Sequence, residues 1–148
     1  MSNLTSLFDI RRGWPNGCAL SWDFPQKAGV TPAIIEGTVV AVEDDGAGNA
    51  VVDRHTSALL VGNNADHPWL VVQGTDQYDG EFTGRLTCVK LRTGLVFQVV
   101  TALTPAISDL LWADANGVFT TTDPGGGEYP VGKVLEYNAT DGYMVVES

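Results

Sequence analysis

The 148-residue chain predicts an all-β fold, a compact antiparallel β-sandwich or β-barrel with an extended N-terminal arm and at most short helical turns. Three observations carry this expectation. Short runs rich in valine, threonine and aromatic residues recur along the chain, separated by turns of glycine, asparagine and aspartate. Residues 95–101 place Leu95, Phe97 and Val99 on one face and Val96, Gln98 and Val100 on the other, the two-residue period of a strand. Residues 130–147 read as a closing β-hairpin: Val131, Val134 and Leu135 lead into Asn138-Ala139-Thr140-Asp141-Gly142, and Tyr143-Met144-Val145-Val146 returns. One hairpin is marginal in water, so other strands must cover its apolar side.

Taken in order, residues 1–24 are unlike the remainder of the chain. They carry Leu4, Leu7, Phe8, Ile10, the pair Arg11-Arg12, Trp14, Trp22 and Phe24. Leu4, Leu7 and Phe8 have helical spacing, but Gly13 and Pro15 stop any helix early. The expected organisation is an arm over residues 1–24 and a single β domain over residues 25–148. The arm's aromatics either pack on that domain or lie on another subunit, since large aromatics and arginine are enriched at interface centres.

After Gly29 and Pro32 break the chain, residues 34–43 form a run dense in β-branched side chains, suited to a strand buried on both faces. Asp44-Asp45-Gly46-Ala47-Gly48-Asn49 turns it back into Ala50-Val51-Val52, and a further short strand is expected over residues 58–61. Residues 69–73 form the next strand, 74–80 an acidic loop, and 84–91 a longer strand. In that strand Cys88 and Val89 are adjacent apolar residues while Leu86 and Leu91 keep opposite phases, which marks either a β-bulge or a strand covered on both sides. The 95–101 strand, apolar on both faces, is expected to be central.

Thr104-Pro105 is a helix-start signal, and Leu103, Ile107, Leu110 and Leu111 have helical spacing. Asn116-Gly117 between apolar pairs opposes it as a type I′ hairpin signal. The two are reconciled by about one turn of helix over residues 105–108, followed by a hairpin.

Eight basic against eighteen acidic residues give a formal net charge of −10. This disfavours nucleic-acid binding, which gains affinity by neutralising phosphates with lysine and arginine. Cys18 and Cys88 show no metal-ligand spacing, and both read as free, small apolar residues. No apolar run approaches the length that spans a bilayer, and no secretion signal opens the chain, so synthesis in a reducing cytosol without membrane insertion is expected.

Candidates for chemistry are few. Asp44-Asp45-Gly46 with Asn49 has oxygen ligands on a tight turn but lacks the spacing of a calcium loop and reads as a solvated turn. Gly125-Gly126-Gly127 lacks a following lysine and is flanked by Asp123 and Glu128, the wrong charge for a phosphate cradle. His55 and His67 sit on different expected loops, and Cys88, mid-strand, has no evident imidazole partner. Asp76, Asp79 and Glu81 share one loop and could serve as paired carboxylates in a cleft, although such loops are far more often solvated. No catalytic residue, cofactor or metal site is assigned.

Tyr129-Pro130-Val131-Gly132-Lys133-Val134-Leu135-Glu136-Tyr137, the turn Asp141-Gly142 and the final Tyr143-Met144-Val145-Val146-Glu147, together with small size, acidity and an apolar-aromatic arm, resemble the head decoration (capsid cement) proteins of tailed bacteriophages. The resemblance implies a non-enzymatic virion protein on the outer capsid surface, made in the host cytoplasm. It implies a homo-oligomer, dimer or trimer, that bridges neighbouring copies of the major capsid protein. The residues expected to make the contact are Leu7, Phe8, Ile10, Arg11, Arg12, Trp14, Trp22 and Phe24. A glycan-binding β-sandwich, a hydrolase using Asp76, Asp79 or Glu81, and a tail or baseplate component are the alternatives.

Overall fold

The computed structural model describes residues 9–12, 21–30, 34–54, 68–73, 85–91, 94–125 and 130–148. All regular structure among them is β: eleven strands in two antiparallel sheets, with no helix. The strands are β1 (Asp9–Arg12), β2 (Ser21–Pro25), β3 (Val39–Asp44), β4 (Ala50–Arg54), β5 (Trp69–Gln73), β6 (Arg85–Lys90), β7 (Val96–Val100), β8 (Leu110–Ala113), β9 (Phe119–Thr120), β10 (Gly132–Asn138) and β11 (Tyr143–Glu147). One sheet has the order β1-β7-β11-β10-β8-β9 and the other β2-β6-β5-β3-β4. The expected strand over residues 58–61 and the acidic loop over 74–80 lie outside the described residues.

The C-terminal hairpin sits at the middle of the six-stranded sheet, with β11 between β7 and β10. Gly142 takes φ +70°, and its N–H donates to the carbonyl of Asn138 at 2.9 Å, so the turn closes as its sequence requires. Met144 and Val146 of β11 and Val134 of β10 point to one side and are fully buried. Leu135 is the extra residue of a β-bulge between Val134 and Glu136, which leaves it half-exposed.

The five-stranded sheet curls until its two edge strands meet. Gln26, just past β2, forms a single parallel bridge with Val52 of β4, and the Lys27 N–H donates to the Val52 carbonyl at 2.8 Å. The result is a small barrel. Its interior holds Phe24, Ile34, Val40, Val52, Val71, Leu86 and Cys88, with Trp69 edge-on to Phe24 at 5.1 Å between ring centroids. The outer faces of β3, β5 and β6 supply Val39, Leu70 and Val89 to a second, larger core shared with the six-stranded sheet. There they meet Leu95, Phe97, Leu111, Phe119, Val134, Met144 and Val146. Sandwich and barrel, alternatives in the sequence, are therefore combined.

This double coverage explains the phase change in β6. Leu86 and Cys88 face the barrel interior, while Val89 and Leu91 face the core between the layers. The bulge lies on the partner strand, between Val71 and Gln73 of β5. Likewise Val39 and Val40 of β3 serve opposite cores, so the expected burial on both faces holds. That strand begins at Val39 and not at Ile34, because Gly37 (φ +85°) turns the chain and Ile34 enters the barrel interior. β7 is central, between β1 and β11.

The expected helical turn over residues 105–108 does not form. Ser108 has φ 76°, outside the helical region, and its N–H donates to the Val134 carbonyl at 2.8 Å while the Val134 N–H donates to Asp109 at 2.9 Å. Tertiary hydrogen bonds to β10 outweigh the local helix signal. The next hairpin is present, but with a different turn. Only Gly117 has positive φ (+73°), and its N–H donates to the Asp114 carbonyl at 3.0 Å while the Asp114 N–H donates to Val118 at 2.9 Å. This is a turn followed by a left-handed glycine, and not the two-residue type I′ turn centred on Asn116-Gly117. Asp114 accounts for the difference, since its carboxylate accepts from the N–H groups of Asn116 and Val118 at 2.8 and 3.0 Å.

The N-terminal segment joins both layers through its backbone. β1 pairs with β7 at the edge of the six-stranded sheet, and β2 pairs with β6 over five residues of the barrel. The expected boundary at residue 24 falls within β2.

Candidate functional site

The tip of the β8–β9 hairpin docks on the barrel. The Val39 N–H donates to the Gly117 carbonyl at 2.9 Å, and a Cβ at residue 117 would lie 2.3 Å from the Val39 oxygen. Only glycine permits this approach. Beside the joint, the 35–38 turn, the end of β7 and the hairpin enclose a depression of about 220 Å³. Its rim is made by Ile35, Val100 and Val118, which are 53%, 44% and 56% exposed, and Val99 and Phe119 beneath them are buried. Phe119 is braced from below by Phe97, with ring centroids 5.6 Å apart.

The chemistry of this depression is that of an apolar socket. Among the described residues, Glu36 is the one ionisable residue in its wall, and the remaining lining is aliphatic, aromatic, glycine and Thr38. It can take up an apolar side chain. Its walls are a turn, a hairpin tip and the end of a strand that is paired on both sides.

The sequence-predicted contact residues are scattered over both layers. Leu7, Phe8 and Trp14 lie outside the described residues; Ile10, Arg11 and Arg12 are in β1 of the six-stranded sheet; Trp22 and Phe24 are in β2 of the barrel. Trp22 is 64% exposed, whereas Phe24 is buried against Trp69. Phe24 thus belongs to the barrel core. Asp76, Asp79, Glu81, His55, His67 and Cys18 lie outside the described residues.

The acidic turn after β3 uses its carboxylates internally. Asp44 accepts from the N–H groups of Gly46 and Gly48 at 2.6 and 3.2 Å, and Asp45 from those of Ala47 and Asn49 at 2.7 and 3.1 Å. The Asn49 amide also donates to Asp45 at 2.9 Å, and this bond first, then the backbone bonds, lowers the Asp45 pKa. Asp123 similarly accepts from the Gly125 N–H at 2.8 Å. Among the described residues, no three histidine, cysteine, aspartate or glutamate side chains are grouped to hold a metal. Cys88 is buried inside the barrel, and desolvation, with a smaller contribution from the charge of Asp23, raises its pKa to about 12. A thiol so placed is a poor nucleophile.

Sequence reasoning did not find the socket. Its rim comes from three distant segments, and each rim residue alone reads as an ordinary strand or turn position. No protein-family model, curated protein or solved structure matches the chain.

Proposed function

We propose that the chain is a structural protein that decorates the outer surface of an assembled tailed-phage head. It acts as a dimer or trimer and bridges neighbouring copies of the major capsid protein. The observation that carries the reading is the apolar socket rimmed by Ile35, Val100 and Val118, three half-exposed aliphatic residues on a rigid double-layered β scaffold. The sequence resemblance of residues 129–147 to decoration proteins supplies the partner. A contact this small gives a weak single site, because a stable one-to-one interface needs roughly 800 Å² per partner. Repetition over a symmetric shell converts weak contacts into strong attachment.

The test is co-sedimentation of the purified protein with assembled, expanded heads from its own source. Saturable binding at hundreds of copies per particle is expected, together with at least a tenfold loss of affinity for the doubly charged variant Ile35→Asp/Val118→Asp. Folded protein that stays in the supernatant would sink the reading. A second reading, glycan binding, is favoured by Trp22, whose exposed indole on β2 offers a face for stacking on a sugar. Saturable binding on a glycan array, lost with Trp22→Ala, would select it.

A further inference from the structure

We propose that the barrel has a built-in seam between β2 and β4, and that it opens there while the rest of the fold stays closed. Three observations converge on that line. The first is the ladder. β2–β6 and β3–β4 each have five register pairs, and β5–β6 has four. β3–β5 has two, extended by the Gly37 N–H to Val71 at 2.8 Å and the Val71 N–H to Thr38 at 3.0 Å. Among the described residues, the β2–β4 join is a single parallel bridge, Gln26 with Val52, at which the Lys27 N–H donates to the Val52 carbonyl.

The second observation is anchorage. β3, β5 and β6 contribute Val39, Leu70 and Val89 to the large core between the layers, whereas Phe24 of β2 and Val52 of β4 belong only to the smaller barrel core. Among the described residues, neither β2 nor β4 contributes a side chain to the large core, and the outer face of β4 is covered only at Val51. Separating the two strands leaves β2 on β6 and β4 on β3, with both ladders intact. Sub-global openings take such lines, where few backbone hydrogen bonds are lost.

The third is the clasp. Lys27 Nζ reaches across the seam to Glu43 Oε2 of β3 at 2.7 Å and lies 3.9 Å from Asp53 Oδ2 of β4. Lys27 is 45% exposed, so the clasp is an ion pair in water that holds weakly and yields to salt. Opening uncovers an apolar cleft lined by Phe24, Val40, Val52, Val71, Leu86 and Cys88. The seam is independent of the socket and of the decoration reading.

Cys88 reports the opening. It is fully buried and sits between Trp22 of β2 and Val71 of β5 in the register of the sheet. The experiment measures the rate at which an aromatic disulfide reagent labels Cys88 in the otherwise native Cys18→Ser protein, across low denaturant concentrations, beside global unfolding followed by circular dichroism. The expected result is labelling at least tenfold faster than global unfolding permits, with a weaker denaturant dependence. Lys27→Met is expected to speed labelling about threefold, with the global unfolding equilibrium shifted by no more than that same factor. Labelling that occurs only through global unfolding, or that is indifferent to Lys27→Met, overturns the proposal.

Discussion

Gly117 and Ser108 show how single backbone positions set this fold. Gly117 combines φ +73° with a carbonyl that accepts from Val39 and a side on which a Cβ would strike the barrel backbone. Gly117→Ala is expected to destabilise by about 2–4 kcal/mol, because both left-handed strain and a backbone clash oppose it. Urea denaturation measures the loss. Ser108 carries the left-handed strain without glycine. Ser108→Gly should raise stability by about 0.5 kcal/mol, the relieved strain being partly offset by a more flexible unfolded chain. Cys88 adds a pH dependence. Its folded pKa, raised to about 12 from an ordinary 9.0, means that folding favours the protonated thiol. Its contribution is complete below about pH 9 and declines as pH rises from 9 toward 12. Unfolding midpoints at pH 8 and pH 10.5 should therefore fall more steeply for the natural chain than for Cys88→Ala, on the order of 2 kcal/mol.

At the scale of elements, several strands draw their stability from neighbours distant in sequence, and β1 is the clearest case. Asp9–Arg12 closes the edge of the six-stranded sheet by pairing with β7. Deleting residues 1–12 should leave β7 with an unpaired outer edge, which costs stability and exposes a template for strand pairing. A lower urea midpoint and concentration-dependent association in sedimentation velocity are the expected outcomes. A deletion variant that stays monomeric with unchanged stability would show the edge to be protected otherwise. Any loss of shell binding on that deletion must accordingly be separated from loss of the sheet edge, and charge reversal at Arg11 and Arg12 does this without removing the strand.

At the scale of the whole molecule, two cores of unequal size explain a division of labour. The larger joins the layers and includes the phenylalanines that brace the socket; the smaller fills a barrel whose seam is closed by one bridge and a clasp. Stability and surface presentation reside in the first core. Responsiveness resides in the second. A net charge of −10 repels copies from one another in solution, so oligomer formation and shell attachment are expected to strengthen between 10 mM and 150 mM salt, as the screening length falls from about 30 Å to about 8 Å.

Local chemistry by itself determined the all-β class, the strand over residues 69–73, the Asp-Gly-rich hairpin after β3 and the C-terminal hairpin. Each depends on side-chain alternation and on turn residues only a few positions apart. Tertiary structure decided the rest. The helix signal at Thr104-Pro105 failed because Val134, far along the chain, supplies hydrogen bonds that a helix would forgo. The choice between sandwich and barrel was open because residues apolar on both faces are compatible with either, and only the meeting of β2 with β4 closes the barrel. The socket was invisible for the same physical reason: Ile35, Val100 and Val118 become one surface only when three segments, brought together by Gly117 against Val39, share a rim.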